Sequence, residues 1–162
     1  MNNYNDFSRY RCPHCKGIVI KSEIPQYFAQ CLNCDEDFYR FELIKKGSEN
    51  PMTIGEMFVQ MNKNNIKLEI LSENTLTYIR TSQRYYKDKD LEYSNKFLQM
   101  AGNSAMKRLG LLNSQIRLVT MVKDVSTTKI QRILADKALV TANDMKATCK
   151  TFVDGIEEDL KR

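Results

Sequence analysis

Apolar positions change their period near residue 50, and the predicted structure changes with them. Before that point, short runs rich in β-branched and aromatic residues stand between polar turns. These runs are Ile18-Val19-Ile20, Tyr27-Phe28-Ala29 and Phe38-Tyr39-Arg40-Phe41, with Pro25 between the first two. Gly47-Ser48-Glu49-Asn50-Pro51 reads as a linker or tight turn. Beyond it, Ile54, Met57, Phe58 and Met61 recur at helical spacing and predict an amphipathic helix over 53–62. Ile66, Leu68 and Ile70 then alternate, Ser72-Glu73-Asn74 suits a turn, and Thr75–Thr81 is rich in β-branched residues. The stretch 66–81 therefore predicts a β-hairpin, with a helix from Ser72 as the alternative.

From Asp88 onward proline is absent and apolar residues keep helical spacing. Leu91, Leu98, Ala101, Ala105 and Leu109 mark one face, broken at Gly102 or stopped at Gly110. Leu112, Ile116, Val119 and Val122 mark a second, and Ile130, Ile133 and Leu134 a third. Thr141-Ala142-Asn143-Asp144 reads as the start of a last helix, with the stripe Met145, Cys149, Phe152, Ile156 and Leu160. The expected class is α+β, with a small β unit over 1–47 and a mainly helical domain over 48–162.

Composition narrows the function classes. The chain has 162 residues, is 42% hydrophobic and carries a formal charge of +5. That apolar content supports a folded core. No apolar run approaches the ~18 residues of a membrane span. The polar stretch Met1–Arg11 lacks the apolar segment of a secretory leader, so the expected compartment is the reducing cytoplasm. Abundant Asn and Lys, few Pro and no Trp also suit an AT-rich genome, phages included. A virion or host-cytoplasm setting belongs to that reading. The excess charge sits in 103–150, with nine basic and three acidic residues. Such a segment can meet phosphates or an acidic partner.

Chemistry concentrates in the cysteines. Cys12-Pro13-His14-Cys15 and Cys31-Leu32-Asn33-Cys34 are two Cys-x-x-Cys pairs separated by fifteen residues. That spacing suits four thiolates around one Zn²⁺. A redox reading of Cys12-Pro13-His14-Cys15 needs a helix after the motif. Gly17-Ile18-Val19-Ile20 favours a strand there. The two pairs resemble a zinc ribbon over about residues 9–43. Pro13 fits that family, while Gly17 comes one residue late and Asp35 stands where Gly is frequent. The resemblance implies an N-terminal β zinc ribbon with Cys12, Cys15, Cys31 and Cys34 as ligands. A tetrathiolate zinc lowers the net charge to about +3. His14, the single histidine, is expected on the knuckle surface, and Cys149 in a helical core.

Without a His pair or a glycine-rich phosphate loop, the expectation is a non-enzymatic protein. In the ribbon, Arg9, Arg11, Lys16, Lys21, Arg40, Lys45 and Lys46 interleave with Tyr10, Tyr27 and Tyr39. Cations that hold phosphates beside aromatics that stack on bases are the pattern of nucleic-acid binding. Residues 116–134 also resemble a helix-turn-helix, with Val125 buried in the turn, Ser126 capping and Ile130, Ile133 and Leu134 packing. Two ordinary packed helices share that pattern. Lys107, Arg108, Arg117, Lys123, Lys129 and Arg132 are the expected nucleic-acid contacts, DNA being the first expectation. The alternative is a structural or assembly protein, oligomeric or in a protein complex, using ribbon and helices as docking surfaces.

Overall fold

The computed structural model describes residues 7–47 and 52–162. The expected linker, apart from Gly47, and Tyr4 lie outside them. The chain divides into two compact units, Met1–Met57 and Phe58–Arg162. The architecture is α+β: a small antiparallel β region followed by three long helices.

In the first unit, strands β2 (Val19–Lys21), β3 (Ala29–Cys31) and β4 (Asp37–Phe38) form one antiparallel sheet. Strands β1 (Tyr10–Arg11) and β5 (Ile44–Lys45) form a two-stranded pair, with Tyr10 opposite Lys45. Strand alternation decides what is buried. Val19 faces inward while Ile18 and Ile20 face solvent. The core is Cys12, Val19, Ala29, Cys31, Phe38 and Leu43, with Phe7, Tyr10 and Phe28 packed against it. Phe41 lies outside it, half-buried and stacked on Tyr39. Six side chains, two of them cysteines, make too small a core to hold a fold alone, so this unit needs a staple.

The second unit is built on α1 (Ile54–Lys87), α2 (Leu91–Val125) and α3 (Lys129–Lys161). The expected hairpin at 66–81 is instead part of α1. A helical turn of 100° per residue explains the misleading alternation. Leu68 is 2% exposed, whereas Ile66 and Ile70 are 59% and 51% exposed on the outer side. Buried positions of α1 advance by three, four and then seven residues: Met61, Asn64, Leu68, Thr75 and Ser82. That is a heptad seam filled with polar residues, so its apolar signal is weak. The threonines that suggested strand donate their hydroxyls to carbonyls one turn back, Thr75 to Leu71 (2.7 Å) and Thr81 to Thr77 (2.9 Å).

Helix α2 lies antiparallel to both neighbours. Against α1, Ser82 Oγ donates to the Ser94 carbonyl (2.8 Å), Ser104 Oγ to that of Leu71 (3.1 Å), and Asn64 Nδ2 to Gln115 Oε1 (2.8 Å). Against α3, Cys149 meets the Ala105 carbonyl and Lys123 meets Asp136. Gly102 and Gly110 neither break nor end the helix. A Cβ on Gly102 would stand 3.2 Å from Ile156 Cγ2, so glycine here serves close helix approach. Thr141–Asp144 also falls inside a helix, α3, whose start is capped by Thr128, with Oγ1 accepting from Gln131 N at 3.2 Å.

The helix-turn-helix expectation is corrected by the same registers. Helices α2 and α3 run back along one another as an αα-hairpin, not at the 90–120° of that motif. Val125 is exposed, as are Ile130, Ile133 and Leu134, while Ser126 is buried and bonded to the Val122 carbonyl. Among the described residues, no helix is long and apolar enough to cross a membrane.

The Asn64–Gln115 pair sets the α1–α2 register. Asn64 also accepts from Gln60 (2.9 Å), and Gln115 donates to the Met61 carbonyl (3.3 Å). Asn64→Leu strands a buried amide oxygen and is expected to cost about 1–3 kcal/mol in urea unfolding. Asn64→Leu with Gln115→Leu should recover most of that loss, because both polar partners are then gone.

Candidate metal centre

Both Cys-x-x-Cys segments fold into the same turn. The Lys16 amide donates to the Cys12 carbonyl (2.9 Å) and the Cys12 amide to that of Gly17 (3.0 Å). In the second, the Asp35 amide donates to Cys31 (3.0 Å) and the Cys31 amide to Glu36 (2.9 Å). Each turn needs a left-handed residue directly after its second cysteine. Lys16 (φ 59°) and Asp35 (φ 57°) hold it, the position where Gly is easiest. Lys16 thus departs from the family pattern as Asp35 does. Gly17 has a different reason: a Cβ there would approach Cys15 Sγ to 3.0 Å.

The two turns converge. The Sγ atoms of Cys12, Cys15, Cys31 and Cys34 all lie within 4.8 Å of one another. Cys12–Cys34 is 4.0 Å and Cys15–Cys31 is 3.5 Å. A tetrahedral site with Zn–S near 2.3 Å requires sulfurs about 3.8 Å apart. Backbone amides already point at the sulfurs, His14 N at Cys12 (3.3 Å), Asn33 N at Cys31 (3.4 Å) and Cys34 N at Cys31 (3.3 Å). These donors favour thiolate charge. The four residues fit a metal ion, and zinc suits an all-sulfur tetrahedron. His14 stays outside the cluster, with Nδ1 3.2 Å from the Glu36 carboxylate and its ring edge-on to Phe38.

Metal-free, the thiols titrate far apart. Burial pushes Cys12 up to about 11. Cys34 is raised because it donates to Cys15, with burial adding to that. Cys15, receiving that bond and one from Asn33, falls to about 6. At neutral pH Cys15 is mostly thiolate, whereas Cys12 and Cys34 keep protons that zinc must displace. Affinity therefore falls as pH falls. Chelator competition between pH 6 and 8 should give a slope of log K against pH of about two or more. Gly17→Ala, which crowds Cys15, should weaken zinc about 10- to 100-fold in the same assay.

The expected nucleic-acid contacts on the helices do not converge. Lys107 is exposed on α2 and Lys129 at the start of α3. Lys123 pairs with Asp136 at 2.9 Å, and Arg132 donates to the Ser126 carbonyl at 3.4 Å. Arg117 is half-buried and already engaged. Arg108 lines an internal cavity. Cys149 is buried, its thiol donating to the Ala105 carbonyl (3.4 Å). Burial raises its pKa, which the neighbouring Arg108 guanidinium only partly offsets.

Cations do converge on the ribbon. Pairing of β1 with β5 brings Ser8, Arg9 and Tyr10 beside Lys45 and Lys46, around a cleft of about 450 Å³. Arg11 Nη1 donates to the Ser8 and Tyr10 carbonyls (3.0 and 2.7 Å). Arg40 Nε donates to Tyr10 Oη (3.1 Å), and its guanidinium lies over the Tyr10 and Phe28 rings. Among the described residues, no carboxylate lines the cleft. The sequence holds all these cations, but nothing local joins residues 9–10 to 45–46; only the register does. Tyr39 stacks on Phe41 with centroids 5.8 Å apart, and Tyr27 packs against Tyr39 at a tilt, 5.0 Å away. Comparison with known protein families, characterised proteins and solved structures found no match for this chain.

Proposed function

We propose that the chain is a non-enzymatic, zinc-braced nucleic-acid-binding protein whose ribbon grips the phosphate backbone. One observation carries this reading: the cleft lined by Arg9, Lys45 and Lys46, with Tyr10 as its wall and no acid in its lining among the described residues. Arg11 and Arg40 flank it through their bonds to the Tyr10 carbonyl and hydroxyl. Clustered cations facing one opening attract polyanions. Zinc enters as the staple that holds β1 and the knuckles in place. Because Arg40 already claims the Tyr10 hydroxyl and covers its ring, the cleft suits phosphate contact better than base stacking. Sequence-independent binding follows.

The reading is tested by fluorescence anisotropy with a DNA oligonucleotide across a salt series. Two to three phosphate contacts, from Lys45 and Lys46 with Arg9 beside them, predict a slope of log K against log salt of roughly −2 to −3. Absence of binding at ~50 mM salt removes the proposal.

A second reading, helical assembly, is favoured by a separate observation. Val59, Ile66 and Ile70 stand on the outer face of α1, and Ile130, Ile133, Leu134 and Val140 project from the first half of α3. Exposed apolar groups of this extent mark protein contacts. Light scattering without DNA separates the readings. A stable oligomer supports assembly through the helices, and a DNA-dependent one supports the ribbon.

A further inference from the structure

Arg108 occupies a place meant for an apolar residue. On α2 the inward register runs Ala101, Ser104, Arg108, Leu111, Gln115, Leu118, alternating by three and four. The guanidinium therefore enters the bundle. Its Nε–H is buried from solvent and has no hydrogen-bond partner. Arg108 as a whole is half-buried, but a buried N–H without an acceptor is costly, and one facing an acceptor is not.

The surroundings supply no anion. Arg108 lines a cavity of about 140 Å³ where all three helices meet. Helix α1 contributes Ser72, Thr75 and Leu76, α2 contributes Ala105, and α3 contributes Thr148, Cys149 and Phe152; no carboxylate is among the lining residues. Of the three lining hydroxyls, those of Thr75 and Thr148 are spent on carbonyls within their own helices, at Leu71 and Asp144, and Ser72 supplies the third. Leu76 and Phe152 are both exposed and border the opening. The site thus offers a guanidinium whose protein neighbour in the lining is the Cys149 thiol, with no carboxylate beside it, against a largely apolar wall.

We propose that this cavity binds a small organic carboxylate with an apolar body. The carboxylate pairs with the Arg108 guanidinium, and the apolar body lies between Ala105, Leu76 and Phe152. Size sets the class: a cavity of about 150 Å³ accommodates a benzene-sized body, so a ring or short chain of that bulk fits. Inorganic anions lack the apolar part and neutral analogues lack the charge, so both are discriminated against.

The test is a titration of zinc-loaded full-length protein with benzoate, benzyl alcohol and sulfate, followed by methyl NMR. Benzoate is expected to saturate with a dissociation constant at or below ~1 mM and to shift the methyls of Leu76, Ala105, Thr75 and Thr148. Benzyl alcohol should bind about 10- to 100-fold more weakly, as should benzoate to Arg108→Met. Sulfate should leave those methyls unmoved. Shifts confined to the ribbon, or equal affinity for benzoate and benzyl alcohol, overturn the proposal in the unmodified protein. So does undiminished benzoate binding by Arg108→Met.

Discussion

Cys31→Ser is expected to abolish stoichiometric zinc binding and unfold the ribbon while leaving the helices intact. Cys31 is fully buried at the end of β3 and accepts amide bonds from Asn33 and Cys34. It is at once a ligand, a core residue and the anchor of the second knuckle. A serine hydroxyl keeps its proton at neutral pH and is a poor zinc ligand beside three thiolates. Structural zinc in small domains supplies about 10–16 kcal/mol of apparent binding free energy, most of it expressed as folding. The six-residue core of this unit has no comparable reserve. Zinc measured per chain should fall from one to below about 0.1. Dispersed amide signals of residues 9–45 should collapse, while far-ultraviolet helical signal changes little. Retained dispersion in the metal-free variant would mean that the ribbon folds without its staple.

Reversing two charges at the cleft, Lys45→Glu with Lys46→Glu, is expected to lower oligonucleotide affinity about 100-fold or more at ~50 mM salt. Both side chains are exposed, and the Lys46 amide keeps its bond to the Arg9 carbonyl (2.8 Å) whatever the side chain. The β1–β5 pair should therefore survive, and unchanged zinc content checks that. Lost contacts and new repulsion act on the same phosphates, so the salt slope should flatten by about two. The matched control is Lys107→Glu with Lys129→Glu, the same charge change on exposed helical sites. It should weaken binding less than about 5-fold, since those residues share no cleft with the others. Equal losses in both variants would return the binding surface to the helices.

What could be read along the chain depended on how local its cause was. The knuckles were legible because each is a six-residue turn whose ligands sit inside Cys-x-x-Cys. The β class of 18–20 was legible from its β-branched run Ile18-Val19-Ile20, whereas which of the three is buried was not. The helices were legible in kind but not in length. Polar seam residues Asn64, Thr75 and Ser82 hid the heptad of α1, and Gly102 looked like a break because its close approach to Ile156 is a tertiary fact. The charge excess of 103–150 was countable along the chain, but its arrangement in space was not. Helical geometry sends Arg108 inward, spends Lys123 on Asp136 and separates the rest. The cleft of Arg9, Lys45 and Lys46 was invisible for the opposite reason, since strand pairing brings together residues some thirty-five positions apart.

The central claim joins two observations, a four-cysteine cluster that could hold a metal ion and a cationic cleft on one small unit. It is tested most directly by one titration of an oligonucleotide with the full chain, before and after a zinc chelator, at ~50 and ~200 mM salt. The account predicts binding at low salt by zinc-loaded protein, about 20- to 60-fold weaker at the higher salt. It predicts loss of binding on chelation and recovery on returning zinc. Binding that survives chelation unchanged, or zinc-loaded protein that fails to bind at the lower salt, would contradict it.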